Sequence, residues 1–294
     1  MSVYGNQVQG GRRGFGIGGG FRWLILLAFG IYALVSWFGG AKTDPYQLGA
    51  QAFQQVLSDA NAQRALLPSN SPQSQDVSQI AQRLIDKVPQ VTQTLAQQNQ
   101  QAAPEDYKSF QWSVAVINSQ EANAFCLPGG KMAVYTGLLP VTQNDDALAV
   151  VMGHEIAHAL LRHGSQRMAQ QKLVQMGQMA AGVAMGGMDP QQQQMIMGAL
   201  GAGAQYGLVL PYGRNHETQA DKVGLMLAAA ACYDPRQAIP LWERMSQLGG
   251  GQRPPEFAST HPDPANRIQT LQALMPAAMQ FYQANCANKP LATR

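Results

Sequence analysis

Asp145-Asp-Ala-Leu-Ala-Val-Val-Met-Gly-His154-Glu155-Ile-Ala-His158-Ala-Leu-Leu-Arg-His163 reads as one helix, apolar almost all round. A helix without a polar face has to be buried. His154 and His158 are four apart, so their rings project from one face a turn apart, a span that suits two ligands of one metal ion. Burying two imidazoles and the Glu155 carboxylate without partners costs on the order of several kcal/mol, and a metal ion removes that cost. Imidazole nitrogens suit zinc, so one Zn2+ per chain is expected. Glu155, beside the first ligand, is placed to take the proton of a water activated at the metal. Gly164, following Arg162 and His163, is the expected C-terminal stop.

A catalytic zinc site needs a third protein ligand and leaves its fourth position open. His163 is five residues beyond His158 and off the face the first two histidines share. Glu217 and Asp221 stand one turn apart and precede the apolar run from Val223 to Ala231, which reads as a second buried helix. Glu217 is the expected third ligand, with Asp221 behind it as acceptor for a ligand imidazole N–H. His216 competes but points one residue away from that face.

Around these helices the chain reads as helix-rich. Pro45 to about Leu66 is helical, Pro68 to Pro72 is a turn, and Asp76 is the expected N-cap of the next helix. Pro89 kinks or ends that helix. Trp112, Val114 and Val116 alternate with polar or small residues, and Met132, Val134 and Tyr135 follow a Gly129-Gly130 turn, so two short strands are expected. Residues 166–210 form a Met/Gly/Ala-rich helical tract broken at 186–190. It reads as a hairpin near the cleft, with too many Gln and Gly residues to span a membrane. Further helices run from near His216 to Ala230, from Pro235, and after Pro264. The fold class is therefore α+β, mainly helical, with a small sheet beside the active-site helix.

The ordered run Glu121-Ala-Asn-Ala-Phe-Cys-Leu-Pro-Gly-Gly130, Tyr135-Thr-Gly-Leu-Leu139, Ala149 to His163, Glu217-x-x-Ala-Asp221 and Thr260-His261-Pro262 with Arg267 resembles the gluzincin metallopeptidases of peptidase family M48. The resemblance is to the HtpX-like and CAAX-prenyl-endopeptidase-related enzymes, nearest in size to single-anchor bacterial types, and covers about residues 76–275. It implies a zincin-type domain, zinc held by His154, His158 and Glu217, and catalysis by Glu155. It also implies that 123–135 borders a cleft where an extended substrate pairs with a strand edge. His261 has two readings, a loop histidine without a role or a residue facing the site. In the second it either bonds the oxyanion or occupies the open zinc position. Gln219 stands where many family members carry an acid, and little effect on activity is expected from the change.

The chain has 294 residues, 13% of them charged, and a net charge of +3. No basic run marks a nucleic-acid face, so a nucleic-acid partner is not expected. Residues 1–20 are Gly-rich with Arg12 and Arg13, and Arg22 follows. Trp23 to Phe38 then runs sixteen residues without a charge. With its small flanking residues this segment just reaches the roughly 17–25 a bilayer needs. Residues 21–41 are read as a transmembrane signal anchor, a cleaved signal peptide being the alternative, and 42–294 as the metallopeptidase domain. The flanking arginines put the N-terminus in the cytoplasm and the domain outside. The expected setting is a bacterial inner membrane, single-pass, with the catalytic domain in the periplasm. The expected substrates are proteins or peptides, including misfolded membrane or envelope proteins. The alternative is a zinc protein that holds such chains without cutting them. Of Cys126, Cys232 and Cys286, the last two can pair if the compartment is oxidising.

Overall fold

The structure, a computed structural model, describes residues 44–100, 105–204, 210–248, 257, 261 and 264–286. The apolar segment 21–41 and the Gly/Arg-rich 1–20 lie outside these residues. Among the described residues no helix is long and apolar enough to cross a membrane.

Helix α1 (Pro45–Ala62) is capped by the Asp44 side chain, which accepts from the Tyr46 amide. Helix α2 (Pro72–Ile85) begins earlier than the sequence suggested. Ser71, not Asp76, is its cap, with Pro72 in the first turn. Proline there has its φ already set and loses no helical hydrogen bond, so Ser71-Pro72 starts the helix rather than ending a turn. The chain then breaks before α3 (Val88–Gln98), and Pro89 sits in the first turn of the new helix.

The sheet has three strands rather than two: β1 (Ser113–Ile117), β2 (Ala124–Leu127) and β3 (Lys131–Tyr135), in the order β1-β3-β2. β1 lies parallel to β3, Val116 opposite Val134, and β2 lies antiparallel, Cys126 opposite Met132. β2 is only four residues long, too short for alternation to declare itself. Gly129 and Gly130 make the β2–β3 turn with φ +83 and +80, values that favour glycine. Alternation divides the sheet between two cores. Val116, Met132 and Val134 face the main core; Ile117, Ala133 and Tyr135 face a smaller one roofed by Phe53 and Val56 of α1.

After α4 (Leu139–Thr142) comes α5 (Asp145–Leu160), whose first turn is capped by Asn144 Oδ1 accepting from the Ala147 amide at 2.8 Å. It is buried along nearly its whole length, as its composition requires. It ends at Leu160, before Gly164. Arg162 adopts φ +56 and helix α6 (His163–Ala184) starts at the next residue, so Gly164 lies inside α6. No glycine marks this left-handed turn, and the Asp106 carboxylate holds Arg162 there, Nε to Oδ2 2.5 Å.

Helices α6 and α7 (Pro190–Ala204) form the expected hairpin, with Leu173, Met176, Met179, Val183 and Met195 exposed on it. Helix α8 (Leu210–Ala230) starts before His216 and crosses α5 at the centre of the domain. Helices α9 (Ala238–Leu248) and α10 (Pro264–Asn285) complete the main core. A disulfide joins Cys232, just after α8, to Cys286, just after α10, Cα–Cα 5.5 Å. Cys126 is a free thiol.

Candidate active site

Helix α5 is apolar almost throughout and α8 from Val223 onward, and where they cross, each offers a glycine. A Cβ on Gly153 would lie 2.7 Å from the Gly224 carbonyl oxygen, and one on Gly224 2.5 Å from the His154 nitrogen. Backbone meets backbone there, and the carboxylates of α8 reach the imidazoles of α5. His154, His158, Glu217 and His261 each offer a ligand atom, all within 4.8 Å of one another. His154 Nε2 stands 3.0 Å from His158 Nε2 and 3.4 Å from Glu217 Oε2, and Glu217 Oε1 is 3.5 Å from His158 Nε2.

Asp221 lies behind the cluster: its Oδ1 accepts from His154 Nδ1 at 3.0 Å. That bond puts the His154 proton on Nδ1 and turns the Nε2 lone pair inward. His261 is arranged likewise, Nδ1 donating to the Phe257 carbonyl at 3.1 Å and Nε2 3.4 Å from Glu155 Oε1. Phe257 stacks on the His261 ring at 4.5 Å. His216 is not in the cluster. It stacks on His163 at 4.0 Å and pairs with Gln166.

Arg267 enters from α10. Its Nη1 donates to Glu217 Oε2 at 2.9 Å and its Nη2 to Asp221 Oδ1 at 2.5 Å, while its guanidinium lies 3.9 Å over the Trp242 ring. The sequence drew attention to Arg267 only through the family pattern, without a role. Fifty residues separate it from Glu217, and no local spacing signals the pair. His163 was set aside as off the ligand face, yet its Nδ1 stands 2.9 Å from His158 Nδ1 and its Nε2 3.1 Å from Gln219 Oε1.

The titration of these groups follows from burial and mutual charge. Burial and the Arg267 charge work against protonating His154, but its bonds to Asp221 and Glu217 win and hold its pKa at about 9. Burial, with the neighbouring cationic groups, pushes His158 well below the ordinary imidazole value. Burial pushes Glu155 up to about 7 and His261 down to about 3. Burial would also raise Glu217, but His261, His154 and Arg267 together hold it below the usual carboxylate range. The carboxylates thus call for positive charge beside two rings, His158 and His261, that resist protons.

A cation fits that demand. Two imidazole nitrogens face each other at 3.0 Å, and among the described residues the buried Oε1 atoms of Glu155 and Glu217 have no hydrogen-bond donor. Two imidazoles and a carboxylate are the donor set of a catalytic metal site with a position left for substrate.

Much of the chain is similar to known proteins. Residues 86–275 match Peptidase family M48. The Schizosaccharomyces pombe mitochondrial metalloendopeptidase OMA1 is 32% identical over 233 residues, 79% of this chain and 61% of its own. The Danio rerio mitochondrial metalloendopeptidase OMA1 is 33% identical over 250 residues, 83% of this chain and 48% of its own. The Escherichia coli beta-barrel assembly-enhancing protease is 31% identical over 159 residues, 52% of this chain and 32% of its own. The chain thus spans less than two thirds of the length of each of these relatives. With its glycine-closed helix crossing bringing Glu217 onto His154 and His158, and most of its length matched, this chain belongs to peptidase family M48.

Proposed function

We propose that the protein is a zinc-dependent endopeptidase acting on protein chains, its metal held by His154, His158 and Glu217. The observation that carries this reading is the convergence of those three ligand atoms beside the buried Glu155 carboxylate. When bound, zinc polarises the scissile carbonyl and strengthens water as a nucleophile near neutral pH. Glu155 takes the proton of the attacking water on its carboxylate and returns it to the leaving amine. β2, with Cys126, packs beside the helix that carries Glu155. β2 is an edge strand of the described sheet on the side of Glu155, so an extended substrate pairs along it and carries its peptide bond past Glu155. Asp221 holds the His154 proton outward, and Arg267 neutralises the charge that Glu217 and Asp221 would otherwise share.

His261 fits the open ligand position better than the oxyanion role. Its Nδ1 proton is used on Phe257, so Nε2 presents a lone pair rather than a donor. The setting we infer is the bacterial inner membrane, with the catalytic domain on the periplasmic side and substrates among misfolded membrane or envelope proteins. The charge-free run Trp23 to Phe38 supports an anchor, and the Cys232–Cys286 disulfide supports an oxidising compartment.

The test uses the full chain with unfolded casein, with and without a chelator, beside Glu155→Gln. Fragments that need metal and disappear in Glu155→Gln, with zinc retained by the variant, support the reading. Casein held intact in the presence and absence of chelator overturns it in favour of a binding protein.

A further inference from the structure

His158 has an inward nitrogen and an outward one, as His154 does, but among the described residues no carboxylate stands behind it. What stands there is His163. Five residues along an unbroken helix is about 140° around its axis, so His163 would point away from His158. The left-handed Arg162 ends α5 and lets α6 start at His163, and this turn swings the second ring onto the first. Nδ1 of His163 then lies 2.9 Å from Nδ1 of His158, while Nε2 meets Gln219 Oε1 at 3.1 Å. The flat stack of His216 on His163, 4.0 Å between centroids and 11° between planes, fixes the ring's orientation. His163 itself is 1% exposed.

A neutral imidazole carries one N–H and one lone pair, so this chain of contacts admits only one direction of protons. Gln219 Oε1 only accepts, so His163 carries its proton on Nε2. Its Nδ1 is then an acceptor, and the proton between the rings belongs to His158 Nδ1. Nε2 of His158 is left with its lone pair facing Nε2 of His154. We propose that His163 and Gln219 are positioning residues that lock His158 in its metal-binding tautomer, as Asp221 does for His154. This rests on the zinc reading above and goes beyond it, since it gives the amide at 219 a role and makes a neutral ring the support of a ligand.

The pairing predicts which substitutions matter. In His163→Leu no acceptor faces His158 Nδ1, whereas in His163→Asn a side-chain oxygen takes nearly the place of the ring Nδ1. Gln219→Leu removes the acceptor that sets the His163 proton, and Gln219→Glu keeps it as a carboxylate. Loss of an outer partner of a zinc-binding histidine weakens metal binding about 10–100-fold.

Zinc affinity of the full chain, by competition with a chromophoric chelator, is the first readout. Imidazole 15N shifts of the metal-free chain are the second. The expectation is a 10–100-fold weaker affinity in His163→Leu and Gln219→Leu, with His163→Asn and Gln219→Glu within about threefold of the parent. The parent should show His158 protonated at Nδ1 and His163 at Nε2. Unchanged affinity in His163→Leu, or an equal loss in His163→Asn, overturns the proposal while leaving the zinc reading intact. So do shifts that place the His163 proton on Nδ1. A parent chain that binds no zinc overturns both.

Discussion

Gly224 of α8 packs its α-carbon directly against the backbone of His154, closely enough that an added Cβ would stand 2.5 Å from the His154 nitrogen and 2.7 Å from its Cα. The atoms it would meet are main chain, at the middle of a buried helix, and cannot swing aside as a side-chain tip does. The separation of α5 and α8 at this point sets how far Glu217 stands from the two imidazoles.

Gly224→Ala is therefore expected to destabilise the protein although alanine is the better helix former. The propensity gain is about 1 kcal/mol, and overpacking of a filled core costs about 1–3 kcal/mol. The second effect wins here because both partners are backbone. Chemical denaturation should show a net loss, and proteolytic activity should fall further than stability explains, since misplacing a catalytic group by about 1 Å costs on the order of 100-fold. A stabilised, fully active Gly224→Ala protein would contradict this account of the crossing.

Arg267 is the buried counter-charge for two carboxylates at once. Arg267→Leu leaves Glu217 and Asp221 side by side without it, and breaking a buried pair costs about 3–5 kcal/mol. Arg267→Lys can reach only one of the two, and should fall between the parent and the Leu variant. Thermal melts of the metal-free proteins should separate the three. The Leu variant is expected roughly 10 °C below the parent, at about 2–4 °C per kcal/mol for a domain of this size. Equal melting of Arg267→Leu and parent would remove Arg267 from the support of the site.

How much of this was legible beforehand depends on whether the signal was local. His154, Glu155 and His158 announce themselves by spacing inside one apolar helix, and Glu217 and Asp221 by a one-turn spacing ahead of another. His163 is outside the ligand group, as read, but its contact with His158 was not legible because the helix was extended through Arg162. The turn there is made by a non-glycine residue held by Asp106, more than fifty residues earlier, and nothing nearby in the sequence signals it. Gly153 and Gly224 were the missed clue. Glycine inside an apolar helix is unfavourable, and its presence at both crossing points pointed to close contact of backbones. Gln219, neither ligand nor base, was expected to matter little, and no local signal foretold its contact with His163.

The Cys232–Cys286 bond ties the end of α8 to the end of α10, and so ties the helix of Glu217 to that of Arg267. The cysteines are 54 residues apart in sequence, so the link removes substantial freedom from the unfolded chain. Loop-closure reasoning gives about 4 kcal/mol for that length, with about 2–4 typical in practice. Reduction, or a Cys232→Ala/Cys286→Ala double variant, should lower the melting temperature by roughly 5–15 °C. The same melting curve with and without reductant, in protein shown by mass to contain the bond, would refute the clamp.

Cys126 lies in β2 near the Glu155 carboxylate, and its thiol is held far above the ordinary value near 8.5. Burial is the larger cause and the Glu155 charge the smaller. At pH 8 the unfolded chain has about a quarter of this thiol ionised, while the native chain has almost none. Iodoacetamide should therefore label Cys126 at least tenfold more slowly in native protein than in urea. The sign for stability follows from the same raised value. The native state binds the proton more tightly, so its contribution is complete below the ordinary thiol pKa and is lost progressively as pH rises above it. Glu155→Gln removes only the smaller cause, so labelling of that variant should stay slow. If it became as fast as in urea, the thiol would be governed by the carboxylate's charge rather than by its burial.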